Sequence, residues 1–146
     1  MGMRDVFYAL GRENALLLRE NAVTMSGTEI IDREMDAAAF NPKKDYSAYP
    51  VGSPVKDDGQ VWLLIQPHNA AHYSGRPATL RALWGLAHTK NPAKAKAWVD
   101  PYGTSGMYMT DECYRAADGT VYRCRQDNMV YDAAALPSAW EVVTSV

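Results

Sequence analysis

An internal repeat is the feature that most constrains this fold. Residues 58–66 (Asp-Gly-Gln-Val-Trp-Leu-Leu-Ile-Gln) align with residues 118–126 (Asp-Gly-Thr-Val-Tyr-Arg-Cys-Arg-Gln) at a spacing of 60 residues, from Gly59 to Gly119. Asp-Gly, Val, an aromatic residue and Gln recur at the same positions. Each copy is preceded by a Tyr and followed by a lone Trp: Tyr49 and Trp84 in the first copy, Tyr108 and Trp140 in the second. The chain therefore contains two copies of one small module.

Each copy is predicted to be a β-hairpin with a third strand. Asp-Gly between extended runs is typical of a two-residue hairpin turn, because both central residues need positive φ. This places Val55 opposite Trp62 in the first hairpin, and Ala117 opposite Thr120 in the second. Because an isolated hairpin is at best marginally stable, we expect third strands near Trp84 and in residues 139–143.

The two cysteines bear on the register of the second hairpin. A two-residue turn would place Cys113 directly opposite Cys124, where a disulfide is sterically conceivable. This would be a hydrogen-bonded pair with Cα atoms ~5.5 Å apart. The wide spacing and the expected synthesis in a cytoplasm favour free thiols.

The predicted fold class is mainly β with an N-terminal α-helical segment and two tandem small three-stranded β modules. The helical segment spans 1–40, the first module 45–89 and the second 97–146, joined by an exposed polar linker over 89–97. Residues 4–24 favour helix. This segment has an a/d-type stripe that consists of Phe7, Leu10, Leu17 and Thr24. The stripe either packs on its own domain or mediates self-association. A capping box over Ser26–Glu29 begins a second helix that is predicted to run to about Ala39.

Composition and motifs exclude several classes of function. The net charge of −2 gives no basic excess for nucleic-acid binding, and no apolar run approaches the ~20 residues of a membrane span. No signal peptide is recognised. His68 and His72 lie in a predicted loop rather than on a metal-binding helix, and Ser105 lacks the context of a hydrolase elbow. We therefore expect no enzyme activity, no metal and no cofactor.

The first copy resembles the small chitin-binding type of carbohydrate-binding module. The residues that carry this resemblance are Tyr49, Gly52, Val55, Gly59, Trp62, Gln66, His68 and Trp84. The second copy fits best at its end: Tyr122, Gln126, Asn128, Tyr131, Pro137 and Trp140. The whole chain is similar to small phage and prophage proteins with a helical start and tandem modules, in which the second module opens with a segment like Trp98-Val99-Asp100-Pro101.

The resemblance implies a virion protein of a tail fibre, baseplate or capsid (head) fibre that attaches to a host-surface glycan. It would be made in the host cytoplasm and released by lysis. Its partners would be other virion proteins, a host cell-wall glycan and copies of itself, with a trimer favoured. The alternative is a structural decoration or connector protein whose modules contact other proteins.

Flat aromatic rings with nearby polar groups are what a glycan-binding face requires. The candidates are Tyr46, Tyr49, Trp62, Tyr122, Gln126, Asn128, Tyr131 and Trp140. The competing interpretation is that Trp62, Trp84, Tyr122 and Trp140 form the module cores. In the first copy Leu63-Leu64-Ile65 is typical of a buried strand, and the longer stretch over 67–83 could cover the usual sugar-binding face.

Overall fold

A computed structural model describes residues 3–144, with side chains described from residue 11 onward. Helix α1 spans Met3–Asn21 and helix α2 spans Gly27–Asp32. Ser26 caps α2 through the predicted reciprocal bonds with Glu29. Short 3-10 turns follow α1 at Ala22–Thr24 and α2 at Glu34–Asp36. Phe7 and Leu10 of the predicted stripe lie outside the described side chains.

The first sheet has four strands in chain order: β1 (Ala38–Ala39), β2 (Pro54–Asp57), β3 (Gln60–Leu64) and β4 (Trp84–Leu86). Strand β1 pairs parallel with β2, and the other pairings are antiparallel. Val55 lies opposite Trp62, as predicted, and Trp84 lies opposite Leu64.

The second sheet repeats this topology: β5 (Lys96–Ala97), β6 (Cys113–Arg115), β7 (Val121–Cys124) and β8 (Trp140–Val143). Again the first strand pairs parallel with the second. The mainly β class, the helical start and the third strands are confirmed, but each sheet has four strands rather than three. The added strands are two residues long, which is too short for a periodic signal.

The predicted register of the second hairpin is wrong by one residue. In the first hairpin Asp58 and Gly59 adopt φ of 51° and 72° and form the expected two-residue turn. In the second, the Ala116 N–H donates to the Thr120 carbonyl, so the loop has three residues and Gly119 alone takes the left-handed conformation. Cys113 therefore faces Arg123 rather than Cys124, and both cysteines are buried free thiols.

Two predictions about the segments around the first module are wrong. The second helix ends at Asp32, and Ala38–Ala39 joins the first sheet because Ala38 pairs with Val55. The first sheet thus begins inside the segment assigned to helix.

Nor is 89–97 an exposed linker. Thr89 and Ala95 are buried, and the Thr89 carbonyl accepts a hydrogen bond from the Cys113 N–H. Further along, the Lys94 ammonium donates to the Asp32 carbonyl, and Lys96 forms an ion pair with Glu34. The segment is held against the helical part of the chain by these contacts.

Equivalent aromatic residues build the two module cores. In the first, Trp84 is met edge-on by Phe40 and Tyr46, whose rings stack on each other. In the second, Trp140 is met in the same way by Trp98 and Tyr108, which also stack. Tyr46 rather than Tyr49 is therefore the structural counterpart of Tyr108.

The modules share a polar and aromatic interface. The Gln60 amide donates to the Ala97 carbonyl, and the Arg81 guanidinium donates to the Asp100 carbonyl. The His88 ring stacks on Tyr108 at 3.7 Å, and its Nε2 lies 2.8 Å from the Gly106 carbonyl oxygen. The interface holds one module at a defined position on the other.

Candidate functional site

An open cleft of about 660 Å³ lies on the second module. The parallel strand β5, the β6–β7 hairpin and the segment leading into β8 enclose it. Four aromatic side chains line it: Trp98, Tyr114, Tyr122 and Trp140. The lining also includes Asp132, Ala133, Pro137 and Val142. The cleft has the size and the largely apolar lining of a small-ligand site.

The aromatic side chains are fixed by their neighbours. Trp98 stacks on Tyr108 at 4.9 Å, and Tyr122 stacks on Tyr114 at 5.4 Å. Trp98 and Tyr122 are nevertheless only half-buried, so each keeps part of its ring for a ligand. Rings already held in place lose little freedom when a ligand stacks on them.

The polar groups of three of these aromatics are already paired. The Trp98 indole N–H donates to Asp100 Oδ1 at 2.7 Å, and the Trp140 indole N–H donates to the Tyr131 carbonyl at 2.8 Å. The Tyr114 hydroxyl accepts a hydrogen bond from the Ala133 N–H, while burial raises the pKa of this hydroxyl above its ordinary value. The aromatic part of the cleft therefore offers ring faces and a neutral phenol.

Asp132 contributes a carboxylate to the lining of the cleft. One of its carboxylate oxygens caps the Ala135 N–H, and the residue is partly exposed. Arg115 also contributes to the lining, but its guanidinium donates to the Gly119 carbonyl. Among the described contacts, no cationic side chain is bonded to the Asp132 carboxylate.

The corresponding cleft of the first module is closed by the chain itself. Arg76 forms a bidentate ion pair with Asp57, with N–O distances of 2.6 to 3.1 Å. The same guanidinium lies over the Phe40 ring at 5.3 Å, and Arg81 lies over Trp62 at 5.4 Å. Both arginines belong to the longer 67–83 stretch, which covers the aromatic face as expected from the sequence.

Hydrogen bonds establish which residues correspond in the two closing segments. The Leu80 N–H donates to the Arg76 carbonyl, as the Leu136 N–H donates to that of Asp132. The Leu83 carbonyl then accepts a hydrogen bond from the Ile65 N–H, and the Ala139 carbonyl accepts one from the N–H of the equivalent Arg125. Asp132 is therefore the counterpart of Arg76.

Strand register likewise makes Ala116 the counterpart of Asp57, because Tyr114 faces Tyr122 as Val55 faces Trp62. The second cleft is open where the first carries an ion pair.

Only two of the predicted glycan-binding residues line the open cleft, Tyr122 and Trp140, and Trp140 is itself largely buried. Tyr46 and Trp62 are buried in the first core, so their rings have no face for a sugar. Tyr49 lies under two cations, with Arg19 at 4.1 Å and Lys44 at 5.2 Å from its ring centre. These placements argue against a glycan-stacking role for Tyr46, Tyr49 and Trp62.

The remaining candidates are exposed but lie apart from the cleft lining: Gln126, Asn128 and Tyr131. Tyr131 is 57% exposed, and its carbonyl accepts the hydrogen bond of the Trp140 indole N–H. Sequence reasoning missed Trp98, Tyr114 and Asp132. Trp98 follows β5 as Phe40 follows β1, and this correspondence becomes visible only when the two strands are known from their pairing.

Within residues 11–144 no group of three or more His, Cys, Asp or Glu side chains is placed to hold a metal ion. His68 and His72 differ in role: His68 is buried with its Nδ1 2.7 Å from the Gln66 carbonyl oxygen, and His72 ends a 3-10 turn. Neither helix of the described chain is both long and apolar enough to cross a membrane.

Comparison with known proteins gives no assignment. No family model matches the chain, and a search of curated proteins returns no significant match.

Proposed function

We propose that this protein is a non-enzymatic, virion-associated phage protein whose second module binds a host-surface glycan. The observation that carries the proposal is the open aromatic cleft of about 660 Å³ on that module. A pyranose ring has an apolar face that stacks on Trp or Tyr, while polar groups beside the ring orient its hydroxyls. Half-buried Trp98 and Tyr122 supply the stacking faces, and Asp132 supplies an acceptor.

In this proposal the first module is a scaffold. Its own Arg76 and Arg81 cover the aromatic residues that a sugar would contact. Each chain would then carry one glycan site. Weak single sites gain strength when several are presented together, which agrees with the homo-oligomer, a trimer in preference, expected from the resemblance.

Helix α1 is the surface that we propose for assembly, on itself or on another virion protein. From Gly11 to Leu17 its described side chains are mostly exposed, including Leu16 at 42% and Leu17 at 50%. These exposed apolar residues also favour the second candidate function, a connector that acts by protein contact alone. Glycan binding distinguishes the two functions.

The test is sedimentation with insoluble chitin and with Gram-positive cell walls, with free oligosaccharide as competitor. The Trp98→Ala and Tyr122→Ala variants should lose most of the retention, because each removes a stacking face that is worth about 1 kcal/mol or more. Tyr131→Ala is the matched control, since it removes an exposed ring outside the cleft lining. Circular dichroism would verify that the variants are folded.

Retention that persists in both cleft variants would place binding elsewhere and contradict this site. No retention of the folded wild-type protein on either material would favour the connector. Analytical ultracentrifugation would show whether the chain forms the expected trimer.

A further inference from the structure

The first module shows what kind of group its aromatic cleft accommodates. There a guanidinium, that of Arg76, lies over Phe40 and is paired with the Asp57 carboxylate. A cation between an aromatic face and a carboxylate satisfies both its charge and its flat surface. The occupant is supplied by the same chain, so this cleft is closed to ligands.

In the second module the same positions carry different charges. Asp132 replaces the cation Arg76, Ala116 replaces the anion Asp57, and Trp98 replaces Phe40. The internal ion pair cannot form, which leaves the cleft open. This cleft keeps a Trp, whose ring binds cations better than that of Phe. Beside it is a carboxylate to which no basic side chain of the described residues is bonded.

We propose that the second cleft selects glycans with a protonated amino group, such as de-N-acetylated hexosamine units. The ammonium would sit by Asp132 and Trp98, in the role that the Arg76 guanidinium has in the first module. The sugar ring that carries it would stack on Tyr122. This inference rests on the proposed function, because it names the glycan class for the same site.

The neighbouring basic group does not oppose this selection. Arg115 is the only Lys or Arg in the described lining of the cleft. Its guanidinium is turned to the Gly119 carbonyl, 3.2 Å away in the hairpin loop. It follows Tyr114 on β6, and successive side chains of a strand point to opposite faces of the sheet.

The experiment compares two ligands of equal length, an oligomer of glucosamine and an oligomer of N-acetylglucosamine, by tryptophan fluorescence titration at low salt. We expect the amino form to bind roughly ten-fold more tightly, from one exposed cation–π contact and one exposed ion pair. The advantage should shrink with added salt, because exposed charges are screened.

Asp132→Asn is the decisive variant, since an amide oxygen can still cap the Ala135 N–H but carries no charge. It should abolish the preference for the amino form, because it lowers the affinity for that form more than the affinity for the N-acetylated form. Equal binding of both forms by the wild-type protein would overturn the proposed selection and leave the glycan site intact. Binding of neither form would instead contradict the proposed function.

A second variant tests the comparison between modules. The double variant Ala116→Asp/Asp132→Arg rebuilds the ion pair of the first module. Its control is Ala116→Asn/Asp132→Arg, which has no carboxylate at position 116. The double charge variant should lose at least roughly ten-fold in affinity for both oligomers, because its own guanidinium would compete for the cleft. Unchanged affinity in a folded variant would mean that the ligand does not occupy the place of Arg76.

Discussion

Cys113 and Cys124 hold their thiols inside the second module. Burial raises the pKa of both thiols above the ordinary value, and the thiolate is the reactive form. We therefore predict that a thiol reagent labels the native protein at least roughly a hundred-fold more slowly than the unfolded protein. Dithionitrobenzoate kinetics with and without denaturant would measure this difference. A Cys substituted for the exposed Ser138 gives a matched reactive control in the folded state.

Residue identity alone could not fully predict which residues line the candidate site. The sequence identifies Tyr and Trp as the residues of interest, but Tyr46 and Trp62 are buried while Trp98 and Tyr122 line the cleft. Burial depends on the closing segment and on the other module, and neither is visible in a local pattern. The charge reversal from Arg76 to Asp132 becomes visible only after hydrogen bonds align two segments of different length.

At the scale of single elements, α2 packs with its first residue against the chain after β4. A Cβ added to Gly27 would lie 2.3 Å from the His88 carbonyl oxygen, which is backbone and cannot rotate away. Gly27→Ala should therefore lower the free energy of unfolding by about 2 kcal/mol or more, as overpacking does.

Gly11→Ala is the control for this prediction, because a Cβ at Gly11 meets no atom of the described residues within 4 Å. On an exposed helix this substitution should stabilise α1 by up to about 1 kcal/mol. Urea unfolding of the two variants would measure both effects. Equal midpoints for Gly27→Ala and the wild-type protein would show that α2 can move away from the sheet without cost.

The elements that the sequence predicted are those with a local signal. The capping box, the Asp-Gly turns and the third strand after each Trp give patterns of their own, and all are present. The two-residue strands β1 and β5 have no such pattern, since they exist only through pairing with β2 and β6. The second hairpin shows the remaining limit, because the same Asp-Gly pair is compatible with loops of two or three residues.

At the scale of the whole molecule, the two modules are joined through His88. Its ring stacks on Tyr108 of the second module, and Nε2–H donates to the Gly106 carbonyl. Burial, with the positive charge of Arg81 as a smaller contribution, lowers the pKa of His88 from 6.5 to about 4. A neutral imidazole is therefore part of the interface.

This lowered pKa predicts how stability changes with pH. The unfolded chain binds a proton on His88 below 6.5, whereas the folded protein binds it only near 4. The stabilisation from the neutral ring is complete above pH 6.5 and is lost as the pH falls to 4, by about 3 kcal/mol. Urea midpoints measured between pH 7 and pH 4 should follow this loss, and His88→Gln should remove most of it.

Glu112 lines the small cavity next to His88, and its protonation has the opposite effect on the stability of the protein. Its burial raises the pKa of the carboxyl, so the folded protein binds that proton more readily than the unfolded chain, and stability rises as Glu112 is protonated. Glu112→Gln should therefore make the loss toward pH 4 steeper, while His88→Gln makes it shallower. If both variants keep the wild-type slope, neither group carries the acid sensitivity, and the interface between the modules tolerates a charged imidazole.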